Sequence, residues 1–133
     1  MHDKAFIDTN ILLYLYDKEL SKKQIAKDIL SSQHTISTQV LNEFSNISLK
    51  KFKLSPQEII TALTVIIDNA SLVLFTDKSI IKALEIKERY QFGYYDSLIL
   101  ATAMEHQCAI LYSEDMHHGQ TIEDQLTIVN PFK

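Results

Sequence analysis

Lys4-Ala5-Phe6-Ile7-Asp8-Thr9-Asn10-Ile11-Leu12-Leu13 is the stretch on which the reading of this chain turns. It begins as a short apolar run, the pattern of a strand buried on both faces. Asp8 comes next, then Thr9 and Asn10. Ile11, Leu12 and Leu13 then open a helical pattern that continues to Tyr16. A carboxylate so placed sits at the carboxyl end of a buried strand, beside a helix start. In open α/β sheets ligands bind at such positions. Asp and Asn are also ordinary helix caps. Asp8 alone therefore supports both a cap and a site.

Outward from this stretch, strands alternate with helices, often with helices in pairs. Ser21-Lys22-Lys23-Gln24 reads as a capping box opening a helix with Ile25, Ile29 and Leu30 on one face. His34 to Ser37 is a short strand. A helix over Thr38 to Phe52 buries Val40, Leu41, Phe44, Ile47 and Leu49. Ser55-Pro56-Gln57-Glu58 combines a cap, a first-turn proline and a glutamate that can reach back. Ile59, Ile60, Leu63, Ile66 and Ile67 follow at helical spacing. Leu72 to Phe75 reads as a buried strand, and Thr76 and Asp77 start a helix with Ile80, Ile81, Leu84 and Ile86 apolar. After Gly93 a helix spans Tyr94 to Glu105. Ala109 to Tyr112 and Leu126 to Val129 are strands, with a polar loop over Ser113 to Gln120 between them. This alternation predicts an α/β fold, a three-layer α/β/α sandwich with a mostly parallel central sheet.

Three more acidic residues bear on Asp8. Glu43 shares a helix face with Val40 and Ile47, so it borders the buried stripe. Asp96 has Phe92, Gly93, Ile99, Leu100 and Ala103 around it at helical spacing, a face that points at the core. Asp115 follows the strand ending at Tyr112, again at a strand's carboxyl end. Charged groups are almost never fully buried unless paired, and a lone buried carboxylate costs several kcal/mol. Each residue alone also reads as a solvated edge or turn. Four acidic groups converging on one crevice would repel each other. Hard divalent cations such as Mg²⁺ or Mn²⁺ take oxygen ligands and remove that objection. Such ions activate water and hold phosphodiester oxygens.

The bulk properties agree with a compact soluble chain. The 133 residues, 46% hydrophobic and 23% charged, with two glycines and two prolines, predict one domain over 1–133. No apolar run is long enough to span a membrane. The start, Met1-His2-Asp3-Lys4, lacks the basic and apolar regions of a secretory signal. The single cysteine, Cys108, excludes an internal disulfide and reads as a buried, inert thiol. A cytoplasmic location is expected. Neither a dinucleotide fingerprint nor a P-loop occurs. The net charge of −4 does not advertise nucleic-acid binding. The four candidate carboxylates account for that whole imbalance.

At this point the motifs resemble a known family. Phe6-Ile7-Asp8-Thr9-Asn10 resembles the first-strand motif of PIN-domain ribonucleases, and in particular of the VapC-type toxins of toxin–antitoxin pairs. Ser37 to Phe44, with Glu43 at the acidic position, is similar to the second motif. Tyr95 to Ala103 is similar to the third. Leu111-Tyr112-Ser113-Glu114-Asp115-Met116, Gly119 and Asn130-Pro131-Phe132 resemble the end of a subgroup. The resemblance covers essentially the whole chain. It implies a metal-dependent endoribonuclease, with Asp8, Glu43, Asp96 and Asp115 as the acidic set around Mg²⁺ or Mn²⁺. Thr9, Asn10 and Ser113 would orient water or the carboxylates. It also implies an RNA substrate, a homodimer and a cognate antitoxin whose tail enters the acidic groove. Glu114 departs from the pattern by adding a carboxylate beside Asp115, and motif position favours Asp115 as the ligand.

Other features carry less. Lys50, Lys51 and Lys53 read first as a solvated helix end and second as phosphate contacts. His117 and His118 read as surface-loop residues. Of Tyr94 and Tyr95, at least one belongs in the core, and either could stack on a base. Two competing functions remain. Phosphatase chemistry of the haloacid-dehalogenase type needs a second aspartate where Asn10 stands. A degenerate PIN domain would bind RNA or a partner without catalysis, and would be signalled by a missing carboxylate.

Overall fold

The computed structural model of the chain describes residues 4–133; Met1, His2 and Asp3, part of the start read above for a secretory signal, lie outside the described residues. The first strand, β1 (Ala5–Ile7), leads into α1 (Thr9–Leu13), which tightens into a 3-10 turn over Tyr14–Tyr16. Then come α2 (Leu20–Ser31), β2 (Thr35–Ser37), α3 (Thr38–Lys50), α4 (Pro56–Asp68) and β3 (Ser71–Val73). The chain continues through α5 (Asp77–Tyr90), α6 (Tyr94–Glu105), β4 (Ile110–Tyr112), β5 (Thr121–Ile122) and β6 (Leu126–Val129). The order in the sheet is β3-β2-β1-β4-β6-β5. All pairings are parallel except β5 with β6.

This is the α/β/α sandwich with a mostly parallel sheet that the alternation predicts. Its strand order carries a consequence. From β1 the chain builds outward through β2 to β3, then crosses back to lay β4 against the free side of β1. The direction of winding therefore reverses between β1 and β4. At such a switch point the loops leaving the carboxyl ends diverge and open a crevice. Phe6 pairs with Leu111 and Ile7 with Tyr112, so Asp8 and Ser113 leave the sheet side by side.

The core lies between the sheet and α6. Ser97 through Met104 are all buried, because α6 is covered on every side and is apolar all round. Phe6, Leu111, Ile128 and Ile36 from the strands meet it, with Phe44, Ile86 and Ile122 fully enclosed. Cys108 is buried as expected, and burial pushes its thiol pKa up.

Several expectations need correction. The Ser21 capping box does not form. Helix α2 starts at Leu20 with Glu19 as its cap, and the Ser21 hydroxyl bonds the Glu19 carboxylate instead. The Ser55–Glu58 box is present with both of its bonds. Helix α3 ends at Lys50, and Leu49 is exposed rather than inward. The stretch Leu72 to Phe75 is not a buried strand. The short edge strand is Ser71–Val73, Leu74 and Phe75 follow it in a loop, and Leu72, Leu74 and Phe75 are all exposed. An edge strand packs on one side only, so an apolar run there need not be covered. Ile60, Ile67, Ile80, Ile81 and Leu84 on the adjoining helices are exposed as well.

The β5–β6 hairpin escapes the sequence reading. It turns at Glu123 and Asp124, both in the left-handed region with φ of 49° and 57°. Hairpin turns of this sort normally advertise themselves with Asn-Gly or Asp-Gly. Here tertiary contacts hold a glycine-free turn. Lys82 pairs with the Glu123 carboxylate at 2.7 Å, and the Glu123 amide donates to the Tyr90 hydroxyl.

Candidate active site

Asp8 leaves β1 and caps α1, its Oδ1 accepting the Thr9 amide at 2.7 Å. The cap and the site are thus the same residue. Asp8 is only 4% exposed, yet it has no cationic partner. Its Oδ2 accepts the Ser113 hydroxyl at 2.7 Å and the Asn10 amide at 3.2 Å. Burial pushes its pKa up to about 6. The bonds from Ser113 and Thr9 favour the charged form and oppose that rise, while the charges of Asp96 and Glu43 add to it.

Glu43 comes from the second turn of α3. The Thr9 hydroxyl donates to its Oε1 at 2.8 Å, and Gln39 Nε2 donates to its Oε2 at 3.1 Å. Gln39 Nε2 also donates to the Tyr95 carbonyl at 3.1 Å, which links α3 to the start of α6. Asp96, in the first turn of α6, is half-buried. Burial raises its pKa first, then the charges of Asp115 and Glu43. Asp115 is exposed and accepts the Asn10 amide at 3.2 Å. The charges of Asp96 and Glu43 thus reach Asp8, and those of Asp115 and Glu43 reach Asp96, around the switch point.

Among the described residues the ion pairs are Lys22–Glu114 and Lys82–Glu123, so none of the four acidic groups has a basic partner. The Gln39 side-chain oxygen and the Ser97 hydroxyl beside Asp96 are buried without a hydrogen-bond partner. No three His, Cys, Asp or Glu side chains among the described residues stand close enough to hold a metal ion by themselves. A fully protein-ligated site of the calcium type is therefore absent among those residues. The donor set does fit Mg²⁺ or Mn²⁺, because Mg²⁺ usually keeps several waters and needs only one or two carboxylates plus substrate phosphate. Carboxylates without a basic partner, offering only oxygen donors, suit that mode.

Glu114 does not belong to the cluster. The Tyr14 hydroxyl donates to one of its oxygens and Lys22 to the other at 3.1 Å. Its amide donates to Asn10 Oδ1 at 3.1 Å. Asn10 is therefore clamped on one side and presents its amide to both Asp8 and Asp115 on the other. His118 accepts the Asn130 amide and braces the loop, while His117 is exposed. Tyr94 packs against the core and Tyr95 is 68% exposed.

Sequence reasoning missed Gln39 and the Tyr14–Lys22 clamp. The signal for Gln39 was its place four residues before Glu43, on the same helix face. The clamp joins residues about a hundred positions apart and leaves no local signature.

The fold agrees with the comparisons. A family model for the PIN domain matches residues 5–121, and the chain belongs to the PIN-domain family. Comparison with curated proteins finds no match. Among solved structures, a toxin–antitoxin complex from Klebsiella pneumoniae is similar at 24% identity, covering 96% of this chain and 98% of that one, with a TM-score of 0.70. VapC20 of Mycobacterium tuberculosis, a toxin described as cleaving the sarcin–ricin loop, is similar at 17% identity, covering 84% and 90%, with a TM-score of 0.69. DNA-bound VapBC from Salmonella typhimurium is similar at 18% identity, covering 96% and 97%, with a TM-score of 0.67.

Proposed function

We propose that this PIN domain, spanning 1–133, is a metal-dependent endoribonuclease that hydrolyses RNA phosphodiester bonds. We further propose that it acts in the cytoplasm as the VapC-type toxin of a toxin–antitoxin pair. One observation carries the reading: four carboxylates from β1, α3, α6 and the loop after β4 converge without a single basic partner.

Asp8, Glu43, Asp96 and Asp115 would hold Mg²⁺ or Mn²⁺, which when bound supplies a polarised phosphate oxygen and an activated water. The chain's own groups preset the geometry. Ser113 and the Thr9 amide fix both oxygens of Asp8. Thr9 and Gln39 fix both oxygens of Glu43. Asn10 holds Asp115 in line with Asp8. Preorganised carboxylates need not reorganise during the reaction, which is where such sites gain rate.

The partners follow from the same site and its surroundings. An uncompensated acidic crevice suits a basic or hydrogen-bonding side chain from an antitoxin, and two of the similar structures are toxin–antitoxin assemblies. A homodimer is supported by the exposed apolar residues of α5 and of the segment leading into it from β3, among them Leu74 at 62% and Ile81 at 61%. Against the phosphatase alternative, Asn10 stands where a second acid is required and is engaged in holding two carboxylates. Against a binding-only PIN domain, all four acidic positions are intact.

The test is incubation of the purified protein with total cellular RNA and Mg²⁺, with mapping of the ends. Discrete new ends are expected with wild type and Mg²⁺, and none in EDTA or with Asp96→Asn. Full cleavage by Asp96→Asn would overturn the site.

A further inference from the structure

Beside the carboxylates lies a cavity of about 260 Å³, lined by Asn10, Leu13, Tyr14, Lys51, Phe52 and Asp115 among others. Building on the ribonuclease reading, we infer that it is a subsite for one unpaired nucleotide of the RNA, adjoining the bond that is cut. Asn10 and Asp115 belong to both the cavity and the acidic cluster, so the two are continuous. The far wall is the turn that ends α3. That turn is fixed: Lys53 is left-handed with φ of 56°, the Lys51 amide donates to Ile47 at 2.8 Å, and the Leu54 amide donates to Ser48 at 3.1 Å. Phe52 is half-buried and braced against Tyr16, with ring centroids 5.7 Å apart. Lys51 holds its ammonium 5.7 Å from the Phe52 centroid. The ammonium lies over the ring itself, so a base stacking on Phe52 takes its place there while Lys51 swings to the phosphate. A paired base, stacked on both sides, has no free face to offer. The rim also carries Asp17, Glu114 and Asp115; Glu114 is paired with Lys22, and Lys51 is the cation on the opposite wall.

The chain contains no tryptophan, so Phe52→Trp places a single reporter in the cavity. In an Asp96→Asn background, which leaves RNA uncut, a short single-stranded RNA of mixed sequence with Mg²⁺ is expected to quench its emission. The same RNA as a duplex is expected not to. Lys51→Gln should lower the slope of log affinity against log salt by about 0.7, the loss of one phosphate contact on a single strand. In the cleaving enzyme, Phe52→Leu should raise KM about 5- to 100-fold with little change in kcat. Quenching by a short arginine-rich peptide but not by RNA would assign the cavity to a protein partner and overturn the inference. An unchanged KM in Phe52→Leu, beside an active wild type, would overturn it and leave the ribonuclease reading standing. A wild type that cuts no RNA would overturn that reading, while the emission assay still decides whether the cavity holds a base.

Discussion

Ser113 donates its hydroxyl to Oδ2 of Asp8 across 2.7 Å, joining residues 105 apart in the sequence. Parallel pairing of β1 with β4 sets them side by side. The bond favours the charged carboxylate and works against the burial that raises its pKa. Ser113→Ala should therefore push the Asp8 pKa above its value of about 6. Carbon NMR titration of the metal-free protein checks this. A midpoint that does not move would mean that the Ser113 bond does not favour the charged form.

The same pKa makes the metal-free protein sensitive to pH. Asp8 holds its proton up to about pH 6 when folded, against an ordinary 3.8. Between those values the native state binds more protons than the unfolded one. Stability is thus full below the lower value, falls as pH rises through the window and stays reduced above it. The gap corresponds to roughly 3 kcal/mol at 1.36 kcal/mol per pH unit. Asp96, also raised, adds in the same direction. In EDTA, Asp8→Asn should match wild type near pH 4 and exceed it at pH 7. A difference between the two that does not depend on pH would contradict the assignment.

For Asp96, burial and its acidic neighbours raise the pKa with no hydrogen bond to offset them. Removing its charge should cost the fold nothing in EDTA, and Asp96→Asn should melt above wild type. Mn²⁺ at a hundred times its Kd should stabilise wild type by about 2.7 kcal/mol and the variant far less. Equal responses of the two proteins to Mn²⁺ would sink the metal site.

Adjacent acids should behave oppositely. Glu114 is held by Tyr14 and Lys22. Asp115 is held toward the cluster by Asn10. Asp115→Asn should lower cleavage about tenfold or more, the usual loss for a disturbed metal environment. Glu114→Gln should keep cleavage within a few-fold. If the two variants exchange these effects, the ligand assignment is wrong.

Residues whose role depends on local spacing were legible in advance. The apolar run before Asp8, the Ser55 box and the helix after Gly93 all appear where periodicity put them. Glu43 and Asp96 betrayed themselves as charges on apolar helix faces. What escaped was set by distant packing. The Glu123–Asp124 turn is held by α5 rather than by turn chemistry. Leu72, Leu74 and Phe75 looked buried because an apolar run does not say whether its strand lies at a sheet's edge. Ser21 has no capping role because the helix starts one residue earlier, at Leu20, and its hydroxyl bonds the Glu19 carboxylate instead.

The reversal of winding at β1 also sets an order in time. During synthesis, Asp8 and Glu43 leave the ribosome early, in a half that contains β1, β2 and β3. Asp96 and Asp115 come after α5, and Asp115 is positioned only when β4 slots in beside β1. Domains fold as their chains emerge. The nascent polypeptide therefore carries an incomplete acidic crevice for most of its elongation. The four carboxylates can therefore act together only once almost the last strand has been made.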